Sequence, residues 1–276
     1  MRSAGRVTGT AAPAPIPTPL RPPLKWAGGK RWQLQHLLPF WTRFSRHRLV
    51  EPFCGGLAVT TGLLPKRALL NDINPHLINF YAWLKRGLTL SFEPRNDERY
   101  FYECRDRFNG LLRAGRADSA EAAGLFYYLN RTGYNGLCRF NSRGEFNVPF
   151  GRYARIGYQS DFSDYQSTFE RWTFASLDFE SLPVDDSDVI YADPPYDVPF
   201  TKYSKDGFDW DAQKRAAEWL ARHKGPVMLA NQATPRIVAL YRALGFTLTF
   251  LEAPRRISCT GDRRPAEEVL ALRNVT

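Results

Sequence analysis

A chain of 276 residues with 43% hydrophobic content can bury one large core or two small ones, and its composition is that of a soluble globule. Lys and Arg number 38 against 28 Asp and Glu, a net charge of +10 that favours a polyanionic partner, nucleic acid first. The four cysteines show no C-x-x-C pair and no zinc-ligand spacing, and neither an apolar run of about 18 residues nor a secretory signal is present, so the expectation is a cytoplasmic chain without metal or membrane span.

Residues 1–22 are mostly Ala, Pro, Thr and Arg, with Pro13, Pro15, Pro17 and Pro19 evenly spaced, and predict a disordered tail. Order begins at Leu24-Lys-Trp-Ala-Gly-Gly-Lys30, where two glycines between an indole and an ammonium bring Trp26 and Lys30 to one small site. A helix is expected over 32–44. Arg48–Phe53 then reads as a strand, Cys54-Gly55-Gly56 as a loop and Leu57–Leu64 as a helix. That arrangement admits a ligand to the backbone and sets a helix amino terminus against negative charge. The pattern G-x-G-x-x-G is absent, which argues against a nicotinamide enzyme. The next strand, Ala68–Asp72, ends in an acid 16 residues after Gly56. Asp72 is placed either to accept from ribose hydroxyls or to cap the helix that Asn74-Pro75 opens. That helix runs over 75–85.

From residue 94 to 165 the α/β alternation breaks. Helices are predicted over 97–112 and 120–130, followed by a β-hairpin over 131–152 with its turn at Asn141-Ser-Arg-Gly144. Arg131, Arg139, Arg143 and Arg152 alternate there with Tyr134, Phe140, Phe146 and Phe150. Arginine forks suit guanine edges and phosphates, asparagine suits adenine, and a two-stranded ribbon fits the major groove. A solvated basic hairpin is the other reading. The alternation then resumes with a strand at Trp172–Ser176, carrying Asp178-Phe179 at its tip, and a strand at 188–193. Helix 210–222, strand 226–231, helix 235–244, strand 246–251, a basic loop 255–264 and strand 267–272 complete the order. Within it, Asp193-Pro194-Pro195-Tyr196 stops a buried strand abruptly. Two prolines cannot donate ladder hydrogen bonds and they stiffen the backbone, so a carboxylate, a carbonyl and an aromatic ring are held at the strand's carboxyl end. In open α/β sheets that is the ligand edge.

These motifs together resemble the Dam-type DNA adenine methyltransferases. The resemblance rests on Leu24–Lys30, Leu49-Val-Glu-Pro-Phe-Cys-Gly-Gly56, Asn71-Asp-Ile-Asn74, the hairpin 130–153, Asp193–Tyr196, Arg255-Arg-Ile-Ser258 and Glu267-Glu-Val-Leu-Ala-Leu272, all in family order. It implies a Rossmann-like α/β sheet that uses S-adenosylmethionine and carries an inserted helical and β-hairpin target-recognition domain. The parts would be a cofactor half at 23–90, the insert at 91–165 and a substrate half at 166–276. By resemblance, Trp26, Lys30, Pro52, Cys54, Gly55, Asp72, Asp178, Phe179 and Asp193 hold the cofactor, with Lys30 facing its carboxylate. Asp193 and the Pro194 carbonyl would accept from the target amino group, with Pro195 stiffening the turn and Tyr196 stacking on a flipped base. Arg131, Tyr134, Asn135, Leu137, Arg139, Arg143, Pro149 and Arg152 would contact double-stranded DNA, with GATC or a close relative as target. Such an enzyme would transfer the methyl group in line, without a metal, in a bacterial or phage setting, beside a cognate restriction or repair system. Alternatives are methylation of RNA or of cytosine N4, and a DNA-binding relative without catalysis.

Overall fold

A computed structural model describes residues 20–197, 208–253 and 266–275. The proline-rich stretch up to residue 19 and the basic loop over 255–264 lie outside them. Seven strands form one sheet: β1 (Leu49–Glu51), β2 (Ala68–Asn71), β3 (Trp172–Ala175), β4 (Val189–Ala192), β5 (Val227–Gln232), β6 (Thr247–Ala253) and β7 (Ala266–Arg273). Their spatial order is β3-β2-β1-β4-β5-β7-β6. The first five are parallel, whereas β7 pairs antiparallel with both β5 and β6. The chain builds outward from β1 through β2 to β3, then returns to β4 on the other side of β1. The topological switch point therefore lies between β1 and β4, where a Rossmann-like sheet opens a crevice at its carboxyl edge.

The strands are apolar on both faces, as a covered parallel sheet requires. Leu49, Leu70, Tyr191, Met228 and Leu270 join one core, and their strand neighbours Val50, Leu69, Ile190, Leu229 and Val269 join the other. On the first face lie α1 (Leu34–Phe44), α2 (Thr60–Leu63), α3 (Pro75–Arg86), α4 (Glu98–Arg113), α5 (Ala120–Thr132) and α6 (Ser163–Phe169). On the second lie α7 (Trp210–Arg222) and α8 (Pro235–Ala243). Caps visible in the sequence set several of these starts. Asn74 Oδ1 accepts from the His76 and Leu77 amides with Pro75 in the first turn, and Ser119, Asp209 and Thr234 cap α5, α7 and α8 in the same manner.

Two expectations change. The helix predicted over 57–64 is the single turn α2, because Leu57 sits at φ 60° and closes a turn onto the Cys54 carbonyl instead of starting a helix. The glycine loop thus does not lead directly into a helix amino terminus. The hairpin over 131–152 lacks a continuous two-stranded ladder. Two isolated antiparallel bridges, Gly133 with Phe150 and Phe140 with Phe146, flank a 3₁₀ turn at Tyr134–Gly136. Its phenylalanines turn inward rather than alternating: Phe140 stacks on His76 at 4.8 Å and Phe146 meets Phe108 edge-on at 6.1 Å. The turn at its tip holds as expected, with the Asn141 side chain accepting from the amides of Arg143 and Glu145.

The 91–165 segment, expected to form an insert, shares the first core: Phe101, Phe108, Leu125, Tyr128 and Phe146 belong to the same buried cluster as Leu49, Tyr81 and Tyr191. Its far end is tied to the segment before Trp26. Asn130 exchanges hydrogen bonds with the Lys25 backbone in both directions, and Lys25 Nζ donates to the Arg131 carbonyl at 2.7 Å.

Candidate active site

At the switch point a cavity of about 810 Å³ opens along the carboxyl edge. Trp26, Lys30, Pro52, Cys54, Gly55, Asp72, Asp178, Phe179, Asp193, Pro194, Pro195 and Tyr196 all line it, so the residues expected to serve cofactor and catalysis come together in one place. Those expected on DNA lie on the separate 131–152 segment.

One wall is an aromatic cradle. The Trp26 indole packs against the glycine loop so closely that a Cβ at Gly55 would stand 2.7 Å from Trp26 Nε1, and one at Gly56 would stand 2.5 Å from Trp26 Cβ. Only glycine fits either position. The loop is also fixed from behind. Asp72 Oδ2 accepts from the Gly55 amide at 3.1 Å, Asp72 Oδ1 accepts from the Asn74 amide at 3.0 Å, and Tyr81 donates to the Gly55 carbonyl at 2.6 Å. Of the two readings for Asp72, the helix cap belongs instead to Asn74, and Asp72 joins the glycine loop to the helix start. Burial raises its carboxyl, against the pull of those two amides. At the far end Phe179 packs on Phe53 at 5.5 Å, with Arg215 4.6 Å over its ring and paired to Asp178.

The other wall carries the charges. Asp193 follows β4 directly, with its side chain 20% exposed. Its Oδ2 lies 3.2 Å from Lys30 Nζ, while its Oδ1 is enclosed and has no hydrogen-bond partner among the described residues. Lys30 also donates to the Gly28 carbonyl at 2.8 Å and stands 4.5 Å over the Tyr196 ring. Its ammonium therefore meets the Asp193 carboxylate directly. Burial lifts the Asp193 carboxyl to about 6, with Lys30 opposing the rise and Glu268 adding to it. Glu51, at the end of β1, accepts from the Thr60 hydroxyl and is pushed by burial to about 8, so it carries a proton at neutral pH.

Sequence reasoning passed over several residues that hold this wall. Gln213 of α7 donates to the Pro195 carbonyl at 2.6 Å, and Asn231 of β5 donates to Gln213 Oε1 at 3.0 Å. Asp197 is clamped by Arg236 of α8 just beyond the tetrapeptide. A lone glutamine on an amphipathic helix gives no signal of such a role. The arginine clamp has none either, because its partners are 39 residues apart.

On the 131–152 segment, Tyr134 is 51% exposed, Asn135 and Pro149 are exposed, and the Tyr134 amide donates to the Pro149 carbonyl at 2.9 Å. The Arg143 and Arg152 side chains are 78% and 79% exposed and meet Glu145 and Glu98. Arg139 instead folds back, donating through Nε to Asn147 Oδ1 at 2.8 Å, and Arg131 donates to the Gly157 carbonyl at 2.8 Å. Leu137 is half-buried against the core.

A carboxylate, stiff prolines and an aromatic ring at the switch point, beside an indole and glycine cradle, can present acceptors to an amino group. Residues 26–256 match the profile of the D12 class N6 adenine-specific DNA methyltransferases. The chain belongs to this family. The methyltransferase is 37% identical to the retron Ec67 DNA adenine methylase of Escherichia coli over 90% of each chain. It is 37% identical to the DNA adenine methylase of Vibrio cholerae, covering 90% of this chain and 94% of that one. The DNA N-6-adenine-methyltransferase of Escherichia phage P1 is 36% identical over 90% of this chain, which spans only 35% of that longer protein. Among the described residues of this DNA methyltransferase, no helix is long and apolar enough to cross a membrane.

Proposed function

We propose that this DNA adenine methyltransferase moves the methyl group of S-adenosylmethionine to adenine N6 in double-stranded DNA, at GATC or a close relative, on a base flipped into the cavity. The observation that carries the reading is Asp193. One of its oxygens is held by Lys30, and the other is enclosed and unpartnered among the described residues. A buried acceptor without a donor needs an explanation, and an exocyclic amino group supplies the missing donor.

The adenine nitrogen is a weak nucleophile because its lone pair is delocalised into the ring. Asp193 Oδ1 and the Pro194 carbonyl, accepting its two hydrogens, would draw it toward tetrahedral geometry and localise that pair. Gln213, itself held by Asn231, fixes the Pro195 carbonyl one peptide beyond these acceptors, so the turn that carries them is braced before substrate arrives. Tyr196 offers a ring for the base to stack on, as chemistry on a base removed from its duplex requires. The cavity fits the cofactor. Its indole cradle and glycine loop suit a nucleoside with an amino-acid tail, Asp72 stands at the tip of β2 for ribose hydroxyls, and Phe53 with Phe179 offer a face for adenine. S-adenosylmethionine supplies a methyl group already activated by its sulfonium, so no metal is needed.

The net charge of +10 and the exposed Arg143 and Arg152 support phosphate contact. On this reading residues 91–165 are the target-recognition insert. The choice of GATC rests on the likeness of Tyr134, Asn135, Leu137, Arg139, Pro149 and Arg152 to the family's reading hairpin. Methyl incorporation into a GATC duplex, a scrambled duplex and RNA tests the proposal. Strong labelling of the first alone is expected, and equal labelling of all three would refute it.

A further inference from the structure

Glu268 lies near the start of β7, opposite Gln232 of β5. Because β7 runs against its neighbours, the beginning of this strand lies at the edge where β4 and β5 end, and so beside Asp193. The residue is 6% exposed, and a carboxylate withdrawn from water needs partners. Its Oε2 accepts from Gln33 Nε2 at 2.8 Å, and its Oε1 stands 4.0 Å from Lys30 Nζ. Gln33 is fixed in turn by Tyr191, whose hydroxyl donates to Gln33 Oε1 at 2.9 Å. A buried chain thus runs from Tyr191 of β4 through Gln33, Glu268 and Lys30 back to Asp193.

We propose that Glu268 is a positioning residue for methyl transfer: acting through Lys30, it holds Asp193 with Oδ1 open to the substrate amino group and leaves the cluster one negative charge in excess. The inference rests on the reading of Asp193 as acceptor for that group. Two carboxylates share one ammonium, so Lys30 cannot neutralise Asp193 fully. During transfer the substrate nitrogen turns positive as its lone pair forms the new bond to carbon. Sulfur keeps the electrons of the bond that breaks, and one N–H proton then leaves by way of Asp193 to water. In a site shielded from water, a cluster with net negative charge stabilises that nitrogen more than a neutral one does. Among the described residues, the ionisable groups facing Asp193 are Lys30 from the glycine turn, Glu268 from β7, Glu51 from β1, Tyr191 from β4, Tyr241 from α8 and Tyr196 beside it. Glu268 adds to the rise of the Asp193 carboxyl while Lys30 opposes it.

Glu268→Gln removes the charge yet keeps the volume and an oxygen able to accept from Gln33. Single-turnover transfer from labelled S-adenosylmethionine to unmethylated plasmid DNA is compared across pH for the native chain, Glu268→Gln, Glu268→Asp and Asp193→Asn. Glu268→Gln is expected to slow transfer about 10- to 100-fold, to move the acid limb of the rate profile to lower pH, and to leave DNA affinity unchanged. Glu268→Asp, which keeps the charge, should recover part of the rate with the limb near its native position. A native rate and native limb in Glu268→Gln overturn the proposal. So does an equal loss in both Glu268 variants with the limb unmoved, since that is the mark of a packing role. Should Glu268→Gln fail to fold by circular dichroism, Lys30→Arg decides. Its retained charge preserves the limb if the cluster acts electrostatically, and a limb displaced as far as the native-to-ordinary carboxylate difference overturns the idea. Asp193→Asn separates the two layers: if it still transfers methyl, the reading of Asp193 fails and this inference with it, whereas an inactive Asp193→Asn beside a normal Glu268→Gln removes Glu268 alone.

Discussion

Around Asp193 the polar side chains hold one another. Lys30 meets Oδ2, Gln33 and Tyr191 hold Glu268, and Gln213 with Asn231 fixes the Pro195 carbonyl. On the 131–152 segment, by contrast, Arg143 and Arg152 reach solvent and meet only surface glutamates, in pairs worth little in water. The cavity is arranged before any ligand arrives, which suits a step that depends on placing atoms to within an ångström. The exposed charges of the hairpin are not fixed in this way, which on the proposed reading suits a phosphate backbone whose position the DNA determines.

If the division holds, substitutions in the two regions should fail in different ways. The largest effect is expected from Asp193→Ala: methyl transfer should fall by at least about 10³-fold while a mobility-shift assay shows native DNA affinity. Loss of affinity as well would break the division. Next comes Gly56→Ala. Its new Cβ would press on the Trp26 indole, and overpacking of this kind costs about 1–3 kcal/mol. Calorimetry should show S-adenosylmethionine binding weakened about 5- to 150-fold at that cost, with DNA affinity kept.

The pH dependence sharpens the cavity's side of the contrast. Asp193 serves as a charged acceptor only when deprotonated, so transfer should rise with pH through about 6, and a rate profile checks this. Glu51 affects stability in the opposite sense. Its folded value of about 8 stands above the ordinary 4.5, so the native state holds this proton more tightly than the unfolded chain. Its contribution is therefore lost as pH rises from 4.5 through about 8. Glu51→Gln should flatten that decline in urea unfolding curves, and identical curves would show the carboxyl to be irrelevant. The smallest effects belong to the hairpin. Arg143→Ala and Arg152→Ala should each weaken DNA binding only a few-fold, reduce the salt slope by about 1, and leave turnover at saturating DNA intact.

The sheet and most of the cavity could be read from sequence because their signals are local. A β-branched run closed by two prolines marks Asp193, glycines beside an indole mark the cradle, and an acid after a short apolar strand marks Asp72. Glu268 was hidden for a topological reason. Glu267 and Glu268 read only as the first residues of the strand 267–272, and nothing local says that β7 runs antiparallel and so sets its start at the ligand edge. Gln213 and Asn231 act at a distance through single hydrogen bonds, which no periodicity records. The 131–152 segment departs from a regular hairpin because Phe140 and Phe146, which read as strand positions interleaved with arginines, both turn toward the core. Arg139 looked like a free fork, yet a nearby asparagine holds it.

The continuous buried cluster beneath the sheet and the insert bears on how target preference can be changed. Phe101, Phe108, Tyr128 and Phe146 close the same core as Leu49 and Tyr191, so the segment proposed to read DNA is not a cassette to be exchanged whole between relatives. Transplanting it would open a hole against α3 and loosen the floor under the sheet. On the proposed reading, altered specificity is better sought by regrafting only solvent-facing positions, such as Tyr134, Asn135 and Arg143, onto this chain's own aromatic base.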